Sequence, residues 1–108
     1  MSSKSEKRIL VYVTGTTYDG RQKKLRSLYR KYALGEELNV KLKREPKNEH
    51  DKYAVKVLIN KRCVGYIPKK VSKLVSIAIK DKMVKSVELN DIHLDNMMIY
   101  STSVTLVF

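Results

Sequence analysis

The chain has no tryptophan, one cysteine, two prolines and four glycines among its 108 residues. A lone thiol, Cys63, excludes an internal disulfide, and a structural zinc site needs about four ligands, so cysteine alone cannot build one. Cys63 reads instead as a small buried strand residue. No apolar run approaches the roughly 20 residues that carry a helix across a bilayer. The start, "MSSKSEKR", is short and charged and passes straight into strand-like "ILVYVTG", where a secretory leader would show an apolar core and then small residues. The expectation is a cytoplasmic protein without membrane association. At this length one domain with one core is expected, with residues 1–7 a flexible N-terminus and 8–108 the folded part.

Motifs for catalysis are scarce as well. There is no glycine-rich phosphate loop, no nucleophile elbow and no H-E-x-x-H helix. His50 lies beside Asp51, but neighbours on an extended chain point to opposite sides. His93, between Asp91 and Asp95, reads as part of a polar turn, since a catalytic zinc needs about three well-placed ligands. The sequence therefore predicts no enzyme, no metal and no cofactor.

What the chain does have is positive charge. It carries 23 Lys and Arg against 11 Asp and Glu, a net +12. All 23 bases and eight of the acids lie in residues 1–85, a net +15; residues 86–108 hold three acids and no Lys or Arg, a net −3. Such a field concentrates polyanions near the surface. Lysine outnumbers arginine 17 to 6, so general surface solvation by lysine is the competing explanation.

Periodicity orders the elements. "RILVYVTG" (8–15) alternates with little polarity on either face and reads as a central strand. In 16–35, Leu25, Leu28, Tyr29, Tyr32 and Ala33 form one helical stripe; Asp19 with Gln22 fits a capping box, and Gly35 fits the stop. The other face carries Arg21, Lys23, Lys24, Arg26, Arg30 and Lys31 with no acid between residues 20 and 33; they either attract phosphate or merely solvate the helix. "EELNVKLKREP" turns Leu38, Val40 and Leu42 inward. "YAVKVLIN" and "RCVGYI" form a hairpin about Asn60-Lys61. Pro68 opens a second helix, 68–81, whose stripe is Val71, Leu74, Val75 and Ala78 and whose Lys69, Lys70 and Lys73 stay exposed. "MVKSVELNDI" and "MIYSTSVTLVF" are the last strands, with a polar turn at His93 to Asn96. The order β-α-β-β-β-α-β-β describes a mostly β fold with two helices, a small antiparallel barrel of OB-like or SH3-like kind. Tyr18, Tyr53 and Tyr66 fall at element ends, where a barrel's binding face can use them to stack on bases.

"GTTYDGRQ" (15–22), "LKREPKNEHDKYAVKV" (42–57) and "VGYIPKKV" (64–71) resemble, in order, three blocks of the HIRAN domain, and the resemblance spans residues 8–108. It implies an OB-like barrel that binds DNA, in eukaryotic fork-remodelling helicases at the free 3′ end of a single strand. By that resemblance Asp51 stands where an aspartate accepts a hydrogen bond from the 3′-hydroxyl. His50 takes the place of a pocket-lining aromatic, and Lys69 that of a phosphate-binding lysine. Thr16 and Thr17 occupy the place of an arginine-tyrosine pair that grips and stacks; they cannot stack, and Tyr18 beside them is the substitute. Arg21, Arg44 and Lys70 are further candidates for phosphate. The plainer role for Asp51 is to cap its own turn through backbone N–H groups, and both roles can hold. The expected function is binding of single-stranded DNA or 3′-hydroxyl ends in repair or fork processing, alongside a helicase or nuclease acting in trans. The alternative is an adaptor barrel for an acidic protein or RNA.

Overall fold

A computed structural model describes residues 6–108; of the segment expected to be flexible, residues 1–5 lie outside the described residues. The strands are β1 (Arg8–Tyr12), β2 (Val40–Arg44), β3 (Val55–Ile59), β4 (Arg62–Tyr66), β5 (Ser86–Leu94) and β6 (Tyr100–Val107). The helices are α1 (Arg21–Ala33) and α2 (Lys69–Lys80), and the element order is the one expected. The strands make two antiparallel three-stranded sheets, β1-β6-β5 and β2-β3-β4, in an OB-like arrangement whose barrel is not fully closed.

Among the described residues the sheets meet at one bridge, Thr14 opposite Tyr66. Thr14 N–H donates to the Tyr66 carbonyl and Tyr66 N–H to the Thr14 carbonyl, both at 2.9 Å. The approach is close because residue 65 is glycine and β4 is buried there. Between the sheets lie Val11, Val13, Leu25, Leu28, Val55, Val57, Ile59, Val64, Ile92, Val104 and Leu106.

Several sequence expectations are corrected. β1 is an edge strand, and the centre of its sheet belongs to β6. The apolarity on both faces of β1 does not mean double burial: Ile9, Leu10 and Tyr12 are exposed. Conversely, Thr102 and Ser103 of β6 are buried, and their hydroxyls have partners. Thr102 Oγ1 donates to the Asp91 carbonyl at 2.7 Å, and Asn90 Nδ2 lies 3.0 Å from Ser103 Oγ. Asp19 does not cap α1; the cap is Gly20 at φ 72°, with no side-chain bond. Gln22 instead spans to β6, donating to the Thr16 and Tyr100 carbonyls and accepting from Tyr100 N–H. Gly35 does end the helix at φ 81°.

Ala33 and Leu74, placed in the helical stripes by spacing, are both exposed. On α2 the buried face includes Ser72 and Ser76 with Val75 and Ala78. The β5–β6 turn begins two residues later than expected, because His93 and Leu94 pair with Ser101 and Tyr100. Asp95 closes it, its Oδ1 accepting from the N–H groups of Met97 and Ile99. Cys63, on β4, is half-buried rather than buried.

Candidate nucleic-acid interface

The stretch from Arg44 to Ala54 leaves β2 and returns to β3 through a loop built on its own side chains. Asn48 Oδ1 accepts from the N–H groups of His50 and Asp51, at 2.9 and 3.1 Å. Its Nδ2 donates to Glu45 Oε1 at 3.1 Å. Asp51 Oδ1 accepts from Tyr53 N–H at 2.8 Å, an Asx turn. Asp51 Oδ2 accepts from Ser72 Oγ of α2 at 3.0 Å. Asp51 therefore does cap its turn, and a helix serine also fixes its carboxylate.

Glu45 anchors the wall behind this loop. Its Oε1 accepts from Tyr66 Oη at 2.8 Å and its Oε2 pairs with Lys56 Nζ at 3.0 Å. Burial works to raise the Glu45 carboxyl, but hydrogen bonds from Lys56, Asn48 and Tyr66 outweigh it and hold the group below its ordinary range. The same bond raises Lys56 against burial, and burial, then Glu45, raises the Tyr66 phenol. Because Glu45 is lowered in the fold, its stabilisation is present above the unfolded carboxyl value of about 4.3 and is lost as pH falls through the lower folded value. Lys56 is raised, so its share is present below about pH 10.4 and is lost as pH rises past the folded value. Acid titration of stability should therefore show a steeper loss below about pH 4.3 in the wild type than in Glu45→Gln; equal slopes would remove Glu45 from the balance.

Arg21 closes the opposite side. Its side chain is only 11% exposed. It donates to the Gly15 carbonyl at 2.7 Å, pairs with Asp19 at 3.3 Å, and sets its guanidinium 5.2 Å from the centre of the Tyr66 ring. The result is a cleft of about 380 Å³ over the bridge between the sheets, into which His50, Asp51, Lys69 and Arg21 are brought together with Tyr66 and Asn48.

Of the other candidates, Arg44 is turned away, its Nε bonded to Ser76 Oγ at 3.0 Å. Thr16, Thr17, Tyr18 and Lys70 do not line the cleft. Thr17 and Tyr18 are exposed in the loop between two residues that do, Thr14 and Arg21. The ammonium groups of Lys52 and Lys73 lie 5.3 and 5.4 Å from the centre of the Tyr53 ring. The residues that sequence reasoning missed are the scaffold: Glu45, Asn48 and Ser72. The first two lie inside the block that carries the family resemblance; nothing in the sequence marks Ser72. A larger concavity of about 570 Å³ lies elsewhere, with Glu36, Glu37 and Glu88 in its lining, a charge that repels polyanions. Among the described residues no cluster of three or more His, Cys, Asp and Glu could hold a metal ion, and no helix is long and apolar enough to cross a membrane.

The profile of the HIRAN domain family matches residues 7–107. The chain belongs to the HIRAN domain family. This is a family of DNA-binding domains, so nucleic acid is the ligand class that membership supports. Two crystal structures show the same fold. The HIRAN domain of human HLTF superposes with a TM-score of 0.61 at 20% identity, covering 94% of this chain and 74% of that one. A protein from Lactobacillus plantarum gives 0.60 at 17% identity, covering 95% and 98%. No curated protein matches the sequence significantly. In this HIRAN domain Arg21 comes from the start of α1 and Tyr66 from the end of β4, so an arginine-tyrosine contact exists in the cleft although Thr16 and Thr17 hold the expected places.

Proposed function

We propose that this HIRAN domain is a non-enzymatic module that captures the free 3′-hydroxyl end of single-stranded DNA in the cleft. It would serve repair or fork processing by a helicase or nuclease acting in trans. The observation that carries this reading is the placement of Asp51. A carboxylate on a surface of net charge +12 would repel an internal phosphate. What it needs is a hydrogen-bond donor, and a strand terminus offers one. Ser72 and Tyr53 each occupy one Asp51 oxygen. A carboxylate has about four lone-pair positions, so acceptor capacity is left for a hydroxyl. Lys69, in the same cleft and exposed, takes the adjacent phosphate, and the exposed Tyr18 ring beside the cleft is available to a base.

Binding of a 5′-labelled single strand tests this. A 3′-phosphate in place of the hydroxyl should weaken binding roughly tenfold or more, the worth of a hydrogen bond to a charged group. Asp51→Asn should bind both ends alike. Affinity should also fall with salt, with a slope of about −0.7 per phosphate neutralised. Equal wild-type affinity for the two ends would discard end capture and keep general DNA binding. Absence of binding at low salt would remove the reading and favour the adaptor.

A further inference from the structure

A second concavity lies between β1 and α2. This groove, about 440 Å³, is lined by apolar side chains including Ile9, Leu10, Tyr12, Leu74 and Phe108, and among the described residues Lys70 is the one charged residue in its lining. Tyr12 and Leu74, both in the lining, are 68% and 65% exposed, so the groove presents large apolar groups to solvent.

The groove runs along an open sheet edge. β1 pairs with β6 on one side, and no described strand pairs with the other. Val13 N–H donates to the Thr102 carbonyl, and Phe108 N–H to the Lys7 carbonyl. Odd-numbered residues therefore bond to β6, which leaves the backbone groups of Arg8, Leu10 and Tyr12 directed to the open edge. Edges are normally blunted by lysine, proline or a bulge. Ile9 to Tyr12 have none of these, and the charge of Arg8 is taken up by Glu6 and Glu88.

We infer that this edge and groove dock an extended acidic-apolar segment of a partner protein. The segment adds to β1 as a strand, sets alternate apolar side chains into the groove and faces a carboxylate to Lys70. Charge selects this occupant over a second copy of the chain. Among the described residues the groove lining contains no acid, and the chain as a whole is at +12, so self-pairing would bring like charges together. The groove and the cleft are separate: the neighbouring residues Lys69 and Lys70 line the cleft and the groove respectively. A partner held here leaves the nucleic-acid site open.

Amide chemical shifts of the full chain, titrated with a short synthetic peptide alternating Glu and Val, provide the test. Residues 8–12 and 70–74 should shift, and a Lys-Val peptide should bind at least about tenfold more weakly. Leu10→Lys and Leu74→Lys should each weaken the Glu-Val peptide roughly tenfold while leaving oligonucleotide affinity unchanged. Leu74 is exposed on a helix, so its variant keeps the fold even if the strand variant does not. Shifts confined to residues 48–51, or equal binding of the Lys-Val peptide, would overturn the inference. A concentration-dependent dimer abolished by Leu10→Lys would overturn it in favour of a second copy.

Discussion

Gly65→Ala should destabilise the protein by about 3 kcal/mol or more, at the upper end of what overpacking does. A Cβ at this position would stand 2.6 Å from Val13 Cγ1 and closer still to the Thr14 carbonyl oxygen. Neither neighbour can yield cheaply. The Thr14 carbonyl is one half of the reciprocal bridge to Tyr66, and Val13 is a buried core residue. Relief therefore requires the Val13–Thr14 segment and β4 to part, which opens the bridge and the floor of the cleft together. At roughly 4–8 °C per kcal/mol for a domain of this size, the melting temperature should fall by well over 10 °C. Gly35→Ala is the comparison. That site also has positive φ, 81°, but an added Cβ meets nothing within 4 Å. Its effect should be about 1–2 kcal/mol of backbone strain alone. Thermal or urea unfolding of both variants decides the matter; equal losses would show that close approach at residue 65 is not what requires glycine.

The second large effect is expected from Glu45→Ala. One carboxylate accepts from Asn48 and Tyr66 and pairs with Lys56, and its side chain is 23% exposed. Its removal leaves a half-buried ammonium, a phenol and an amide without their acceptor. Truncating one partner of a fully buried pair removes about 3–5 kcal/mol, and partial exposure reduces this to about 2 kcal/mol here. Glu45→Gln should lose less, because its amide oxygen can still accept from Tyr66 and Asn48. Loss of nucleic-acid affinity should accompany Glu45→Ala, since Tyr66 and the Asn48 turn form the cleft wall. A melting temperature unchanged by Glu45→Ala would show that the loop is held by its backbone alone.

The polar stretch from Arg44 to Val57 shows how far the sequence could be read. His50 and Asp51 were recognisable in it, and the structure puts both in the cleft. Element order was legible because strand and helix periods differ clearly in this chain. Burial was legible only where it follows hydrophobicity. Ser72 and Ser76 are buried because Asp51 and Arg44, distant in sequence, supply hydrogen bonds. No periodic pattern encodes such a pairing. The position of β1 failed for the opposite reason: its outer residues are apolar yet exposed, and periodicity reports composition rather than contact. Arg21 is among the residues put forward for phosphate, and it does line the cleft; what no pattern encodes is its contact with the Tyr66 ring, which depends on two residues far apart in sequence.

The Thr14–Tyr66 bridge has a mechanical consequence. Among the described residues it is a seam one residue pair wide between the two sheets. The cleft straddles it, with Arg21 and Thr14 on one bank and Asp51, Tyr66 and Lys69 on the other. A ligand that contacts both banks acts as a staple across the seam. Occupancy and rigidity are then one event: a filled cleft resists the parting of the sheets, and any loosening of the seam releases what the cleft holds.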